Sequence, residues 1–104
     1  MVVGRTNQDN DRVTFKVARP DDLWFHARGV PGAHVVLRGA ARDPTAEEIE
    51  RAASIAAWFS KARGAGTVAV DYTARRHVRK PKGSRPGLVV YERERTVHVR
   101  PEAP

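Results

Sequence analysis

The chain has 104 residues, of which 40% are apolar, so it can build one small hydrophobic core and is too apolar for a disordered segment. Cysteine is absent, which excludes disulfides and thiolate metal sites. The formal net charge of +7 points toward a polyanion partner.

No stretch approaches the ~20 apolar residues of a membrane span, and the N-terminus does not read as a secretion signal. The expectation is therefore a cytoplasmic domain without a membrane partner. The charge is also unevenly placed. Residues 1–52 hold eight basic and eight acidic side chains, whereas residues 53–104 hold eleven basic and four acidic. The whole excess lies in the second half. Arg outnumbers Lys fifteen to four, a bias that genomic base composition can also produce.

No repeat, linker or low-complexity tract divides the chain, so residues 1–104 read as a single domain. The ends "GRTNQDNDR" and "RPEAP" are polar or proline-rich and read as loose. "RVTFKVA" alternates with period two and predicts a strand, with Val13, Phe15 and Val17 on one face. "DDLWFHARGVPGAHVVLR" predicts two strands around Pro31–Gly32, with Gly32 at the positive-φ position of a type II turn. Antiparallel pairing there places Leu23, Phe25, Ala27, Val35 and Leu37 on one face. Trp24, His26, His34, Val36 and Arg38 fall on the other, which mixes rings with cations.

The clearest local signal is a helix from Thr45 to Arg63. Thr45 and Glu48 form a capping box, early glutamates and late cations complement the helix dipole, and Gly64 is placed to stop it. Ile49, Ala52, Ala53, Ala56 and Phe59 follow helical spacing and predict the buried stripe. "TVAVDY" reads as a buried strand leading Asp71 and Tyr72 into the next segment. "GLVVYERERTVHV" reads as a hairpin with its turn at Glu92–Arg95. These elements predict an α+β domain, with one long helix on one face of a mostly antiparallel sheet.

Between the last two elements lies "RRHVRKPKGSRPG", Arg75 to Gly87, with six Lys or Arg residues and no acid. Pro81 and Pro86 restrict the loop and Gly83 permits a bend, so its cations lose little entropy on closing around phosphates. Arg75, Arg76, Arg79, Lys80, Lys82 and Arg85 are its candidate phosphate contacts. Trp24, Tyr72 and the histidines either supply stacking faces for unpaired bases or simply cover the sheet. A catalytic alternative uses His26, His34 and Asp71, two imidazoles and a carboxylate that could bind a transition metal or process RNA. No HxH or HExxH spacing, phosphate loop or nucleophile elbow accompanies them, so no catalytic residue, metal or cofactor is expected.

"VGRTNQDNDRVTFKVARPDDLWFHARGVPGAHVVLR", "AASIAAWFSKAR" and "VAVDYTARRHVRKPKGSRPGLVVY" together resemble the NFACT-R domain of ribosome-associated quality-control factors. The three motifs occur in order and span nearly the whole chain. The resemblance implies RNA binding, to tRNA or to the large ribosomal subunit, without chemistry of its own. Matched positions are Trp24, His26, Arg28 and His34 in the first motif, and Asp71, Tyr72, Arg79, Lys80, Lys82 and Gly83 in the third. Large members of the family also carry an NFACT-N domain, helix-hairpin-helix elements and a coiled coil, which 104 residues cannot hold. The chain is thus expected to be a fragment working beside other domains, or a stand-alone version. A fibronectin-binding label attached to the family supplies a third reading, protein binding.

Overall fold

The computed structural model describes residues 1–39 and 43–104. Among the described residues, seven strands, β1 (Val2–Gly4), β2 (Leu23–Ala27), β3 (His34–Leu37), β4 (Val68–Ala74), β5 (Val78–Arg79), β6 (Val90–Tyr91) and β7 (Arg95–Val99), accompany two α-helices, α1 (Asn7–Arg12) and α2 (Ala46–Trp58). Five strands form one antiparallel sheet in the order β1-β3-β2-β4-β7, and β5 and β6 pair in a separate ribbon. The domain is α+β and mostly antiparallel, as its sequence implies.

The alternation in β2 and β3 sets the two faces of the sheet. Leu23 pairs with Leu37, Trp24 with Val36 and Phe25 with Val35, the expected register. Phe25, Ala27, Val35, Leu37, Val68 and Val70 turn toward α2 and bury there with Ala52, Ala53, Ala56 and Ala57. Methyl side chains let the helix axis approach the sheet closely. The Thr45 hydroxyl accepts from the Glu48 amide and the Glu48 carboxylate accepts from the Thr45 amide, closing the capping box.

The helix ends earlier than its sequence suggests. It stops at Trp58, with Phe59 leaving helical geometry, so Lys61 and Arg63 lie beyond it and Gly64 plays no part in its termination. The chain is drawn off by the sheet: the Ala33 amide donates to the Phe59 carbonyl and the Lys61 amide to the Pro31 carbonyl. Tertiary bonds to the Pro31–Ala33 segment replace the last helical turn.

The opposite face carries a second, smaller core of Val13, Trp24, Val36 and Val78, against which Phe15, Val89 and Tyr91 pack. Its lid corrects two expectations. Residues 7–17 are helical rather than a loose end followed by a strand: α1 is capped by the Thr6 hydroxyl and runs into a wide π-helical turn, Val13–Val17. Five alternating residues are too short to dictate a strand, and the wide turn buries the adjacent Val13 and Thr14 together. Leu88–Tyr91 and Thr96–Val99 do not form a hairpin. Tyr91 pairs with Val78, whereas β7 joins β4, because Val89 and Tyr91 are needed over the second core.

The β2–β3 connection also differs from expectation. Gly29, at φ +71°, takes the left-handed position instead of Gly32. Gly32 is required for a different reason: it bridges to Ser60, and a Cβ there would lie 3.0 Å from the Ser60 Cβ.

Two substitutions test this packing. Ala53→Asp puts an unpaired carboxylate in the helix–sheet core and is expected to lower the unfolding free energy by several kcal/mol in urea denaturation. Gly29→Val forces a β-branched residue into the left-handed region and is expected to cost about 1–2 kcal/mol, although open space surrounds its Cβ.

Candidate nucleic-acid interface

The basic segment leaves β4, makes a 3-10 turn at Arg75–His77, pairs briefly as β5, bends at Gly83 (φ +75°) and returns as β6. Its cations fall into two sets. Lys80 is consumed by the fold: its ammonium donates to the Arg85 carbonyl at 2.6 Å and the Leu88 carbonyl at 2.9 Å, and lies 3.3 Å from the Asp11 carboxylate. Two hydrogen bonds and an ion pair thus hold the ammonium inside the fold. The other Asp11 oxygen accepts from the Gly87 amide, so α1 holds both limbs of the loop. Arg75 is also internal, donating to the Thr14 and Val78 carbonyls and lying over the Phe15 ring. Arg76 pairs with Asp21 at 2.7 Å.

The acid-free appearance of this segment is thus corrected, because Asp11 and Asp21 reach it from elsewhere in the chain. Arg79, Lys82 and Arg85 make up the second set. They are exposed and, among the described residues, have no carboxylate within ion-pair distance.

Beneath the loop, polar atoms are paired almost completely. Trp24 Nε1 donates to the Thr14 hydroxyl at 3.1 Å, and that hydroxyl lies 2.8 Å from His34 Nδ1. Thr14 Oγ1 accepts from the indole, and among the described residues His34 Nδ1 is the one acceptor paired with its buried hydrogen; satisfying that hydrogen assigns Nδ1 as acceptor and the imidazole hydrogen to Nε2. The His34 amide donates to Asn10 Oδ1, and Asn10 Nδ2 to the Gly32 carbonyl. On the neighbouring strand, Asp71 is buried and accepts from the Tyr91 hydroxyl at 2.6 Å and the Thr96 hydroxyl at 2.7 Å. Arg28 approaches the same carboxylate to 4.0 Å from the surface.

Burial, reinforced by the facing His26, holds the His34 pKa down at about 3. His26 is lowered by burial too, with Asp71 opposing. Burial and the bond to Asp71 push the Tyr91 hydroxyl upward. All three rings are neutral at physiological pH.

The sequence-derived candidates are therefore dispersed. Trp24 is fully buried and His34 1% exposed, so neither offers an open stacking face. Tyr72 lies on the helix side of the sheet, stacked on Phe25 at 5.3 Å, remote from the loop. Arg38 pairs with the buried Asp22 at 3.8 Å, beside the Asp21 that takes Arg76. His26, half-buried, lies parallel to Trp24 and edge-on to His34. Asn10, Asp11, Thr14 and Tyr91 escape a residue-by-residue reading. The available signal was Thr14, a hydroxyl in an apolar alternation.

The catalytic alternative finds little support in this geometry. His26 adjoins both His34 and Asp71, yet both Asp71 oxygens accept hydroxyl hydrogen bonds and His34 Nδ1 is engaged with Thr14. Among the described residues, no group of three His, Asp or Glu side chains is arranged to hold a metal. No helix among them is long and apolar enough to cross a membrane.

Residues 1–84 match the family model described as the NFACT protein RNA binding domain. The chain belongs to the NFACT-R family. It is 47% identical over 103 residues to the Rqc2 homolog RqcH of Bacillus subtilis (strain 168), covering 99% of this chain and 18% of that protein. It is 44% identical over 101 residues to the Rqc2 homolog RqcH of Streptococcus suis (strain 05ZYH33), covering 97% and 18%. Among solved structures, the C-terminal part of the fibronectin/fibrinogen-binding protein from Streptococcus suis superposes with a TM-score of 0.93 at 44% identity. That match covers 97% of this chain and 40% of the other. The chain thus spans about a fifth of the length of these curated relatives.

The neutral rings of this NFACT-R domain make its stability depend on pH. His34 has an ordinary value of 6.5 when unfolded and about 3 when folded, so below pH 6.5 the unfolded chain binds more protons. Stability is complete above that value and is lost as pH falls toward 3. Urea unfolding at pH 7.5 and pH 5 is expected to differ by about 2 kcal/mol from His34, with His26 acting in the same direction.

Proposed function

We propose that the chain is an RNA-gripping module of a ribosome-associated quality-control factor, acting in the cytoplasm beside other domains of a longer protein. Its partner is tRNA or large-subunit ribosomal RNA. The observation that carries this reading is the division of cations in one loop. Lys80 fastens the loop from within, while Arg79, Lys82 and Arg85 stand exposed and unpaired among the described residues. A pre-formed loop with free cations closes on phosphates without a large ordering cost. The 43–47% identity to proteins named Rqc2 homolog RqcH supports the quality-control setting. Arg28, at the rim beside Asp71, adds a further exposed cation.

Similarity to the fibronectin/fibrinogen-binding protein of Streptococcus suis favours protein binding as the second reading. Salt dependence separates the two. Counterion release gives RNA binding a steep log–log slope, and each lost phosphate contact flattens it by about 0.7 for a single strand.

A salt titration of tRNA binding is the test. Replacing Arg79, Lys82 and Arg85 by Ala together is expected to lower affinity and flatten the slope by about 2, while changing stability by no more than about 0.5 kcal/mol per site. Lys80→Ala is expected to lower thermal stability as well, by about 1 kcal/mol, since it strands two carbonyls and Asp11. A triple variant with wild-type affinity and slope makes the loop a solvated turn and removes this proposal.

A further inference from the structure

Phosphate gripping leaves one feature of the interface without a role. Between the Gly29–Gly32 turn and the Arg85–Val89 segment runs a groove of about 640 Å³, lined by His26, His34, Tyr91, Pro86 and Val89 and flanked by Arg85. Aromatic rings, proline and aliphatic side chains line it together with the Asn7 and Asn10 side chains.

The floor presents one polar group with a fixed role. His34 is 1% exposed, and its Nδ1 is occupied by Thr14. Nε2 has no partner among the described residues. The only side-chain polar atom among them that is both fully enclosed and unpaired is Ser84 Oγ, so His34 Nε2 keeps a small opening, and His34 lines the groove. It carries the imidazole hydrogen because Thr14 and Trp24 fix the tautomer. A mostly enclosed N–H that opens only into this groove is satisfied best by an acceptor that enters it.

A planar ring with an acceptor on its edge fits that demand, and the neighbouring cations fit phosphates on either side of it. We propose that this groove receives one unpaired nucleobase of the bound RNA. The base edge accepts from His34 Nε2–H, its faces lie against the His26 ring and the Pro86–Val89 wall, and Arg85 holds an adjacent phosphate. The inference rests on the reading of the loop as an RNA interface and extends it from charge to base recognition. The neutrality of both imidazoles supports it, since a cationic floor would attract phosphate in preference to a base edge.

The groove therefore distinguishes looped or single-stranded RNA from a duplex, whose bases are already stacked and paired. A base acts through stacking and one hydrogen bond, so its contribution leaves the salt slope untouched.

Fluorescence anisotropy of the 104-residue chain at fixed salt tests this with four probes. They are a short single-stranded oligoribonucleotide, the same backbone with all bases removed, a duplex of equal length, and free nucleoside monophosphates. The intact strand is expected to bind about tenfold more tightly than the base-free strand. His26→Ala, at a half-buried position outside both cores, is expected to erase most of that advantage without changing the salt slope. In wild-type protein, the His34 Nε2 nitrogen resonance is expected to shift with the intact strand and stay in place with the base-free one. Equal binding of intact and base-free strands overturns the base pocket while leaving the phosphate grip standing. A free nucleoside monophosphate that binds as tightly as the strand overturns the proposal of a strand held by its backbone with one base inserted, because linked phosphates then contribute nothing. Failure of every probe to bind removes the interface reading as well.

Discussion

The Thr14 side chain is the point on which the rest of the interface depends. Its hydroxyl accepts from Trp24 and donates to His34, and its carbonyl accepts from Arg75. One residue on a π-helical turn thereby joins the N-terminal helix, the central hairpin and the root of the basic segment. Each of these bonds neutralises a polar atom that burial would otherwise leave unsatisfied, and an unsatisfied group there costs about 1–3 kcal/mol. Loss of the hydroxyl strands two groups at once. The wide turn is the means by which Thr14 and Val13 bury side by side.

The sheet divides structural and functional demands between its faces. Toward α2 it is almost wholly apolar, with alanines letting the helix approach. That side asks only for volume and close packing. Toward the basic loop it carries an indole, two imidazoles and a carboxylate, which must be paired as well as packed. A polar network of this kind rigidifies its surroundings through the hydrogen bonds it makes. Here it supports a loop whose exposed surface is left to its charge.

Counting cations overstates what such a loop has free. Of six Lys and Arg residues between Arg75 and Arg85, Lys80, Arg75 and Arg76 are committed to carbonyls or carboxylates. Ion pairs and carbonyl bonds anchor the frame, and the remaining three cations keep their hydration and their field. The proposed grip on RNA needs both sets. Unanchored, the free cations would have to be ordered at the moment of binding, at a cost in conformational entropy. The proposed base pocket depends on the same frame, because Lys80 and Asp11 set the position of the Arg85–Val89 wall.

The sequence by itself determined the local features whose partners lie nearby. Period-two alternation in β2 and β3 fixed their register and faces, and Thr45 with Glu48 fixed where α2 begins. The charge of the second half pointed to a polyanion partner, and three ordered motifs carried the resemblance to the family. Tertiary structure decided whatever depends on distant partners. Trp24 and Tyr72 read alike as aromatic residues on strands, but one is buried under the loop and the other packs beneath the helix. Asp11 neutralises Lys80 across 69 positions, which no local pattern records. The alternation at Val13–Val17 yielded to a helical turn because the second sheet face needed Thr14 over Trp24 and His34. Short-range periodicity follows from backbone geometry, whereas burial and pairing are properties of the assembled molecule, where distant segments supply each other's missing hydrogen bonds and counter-charges.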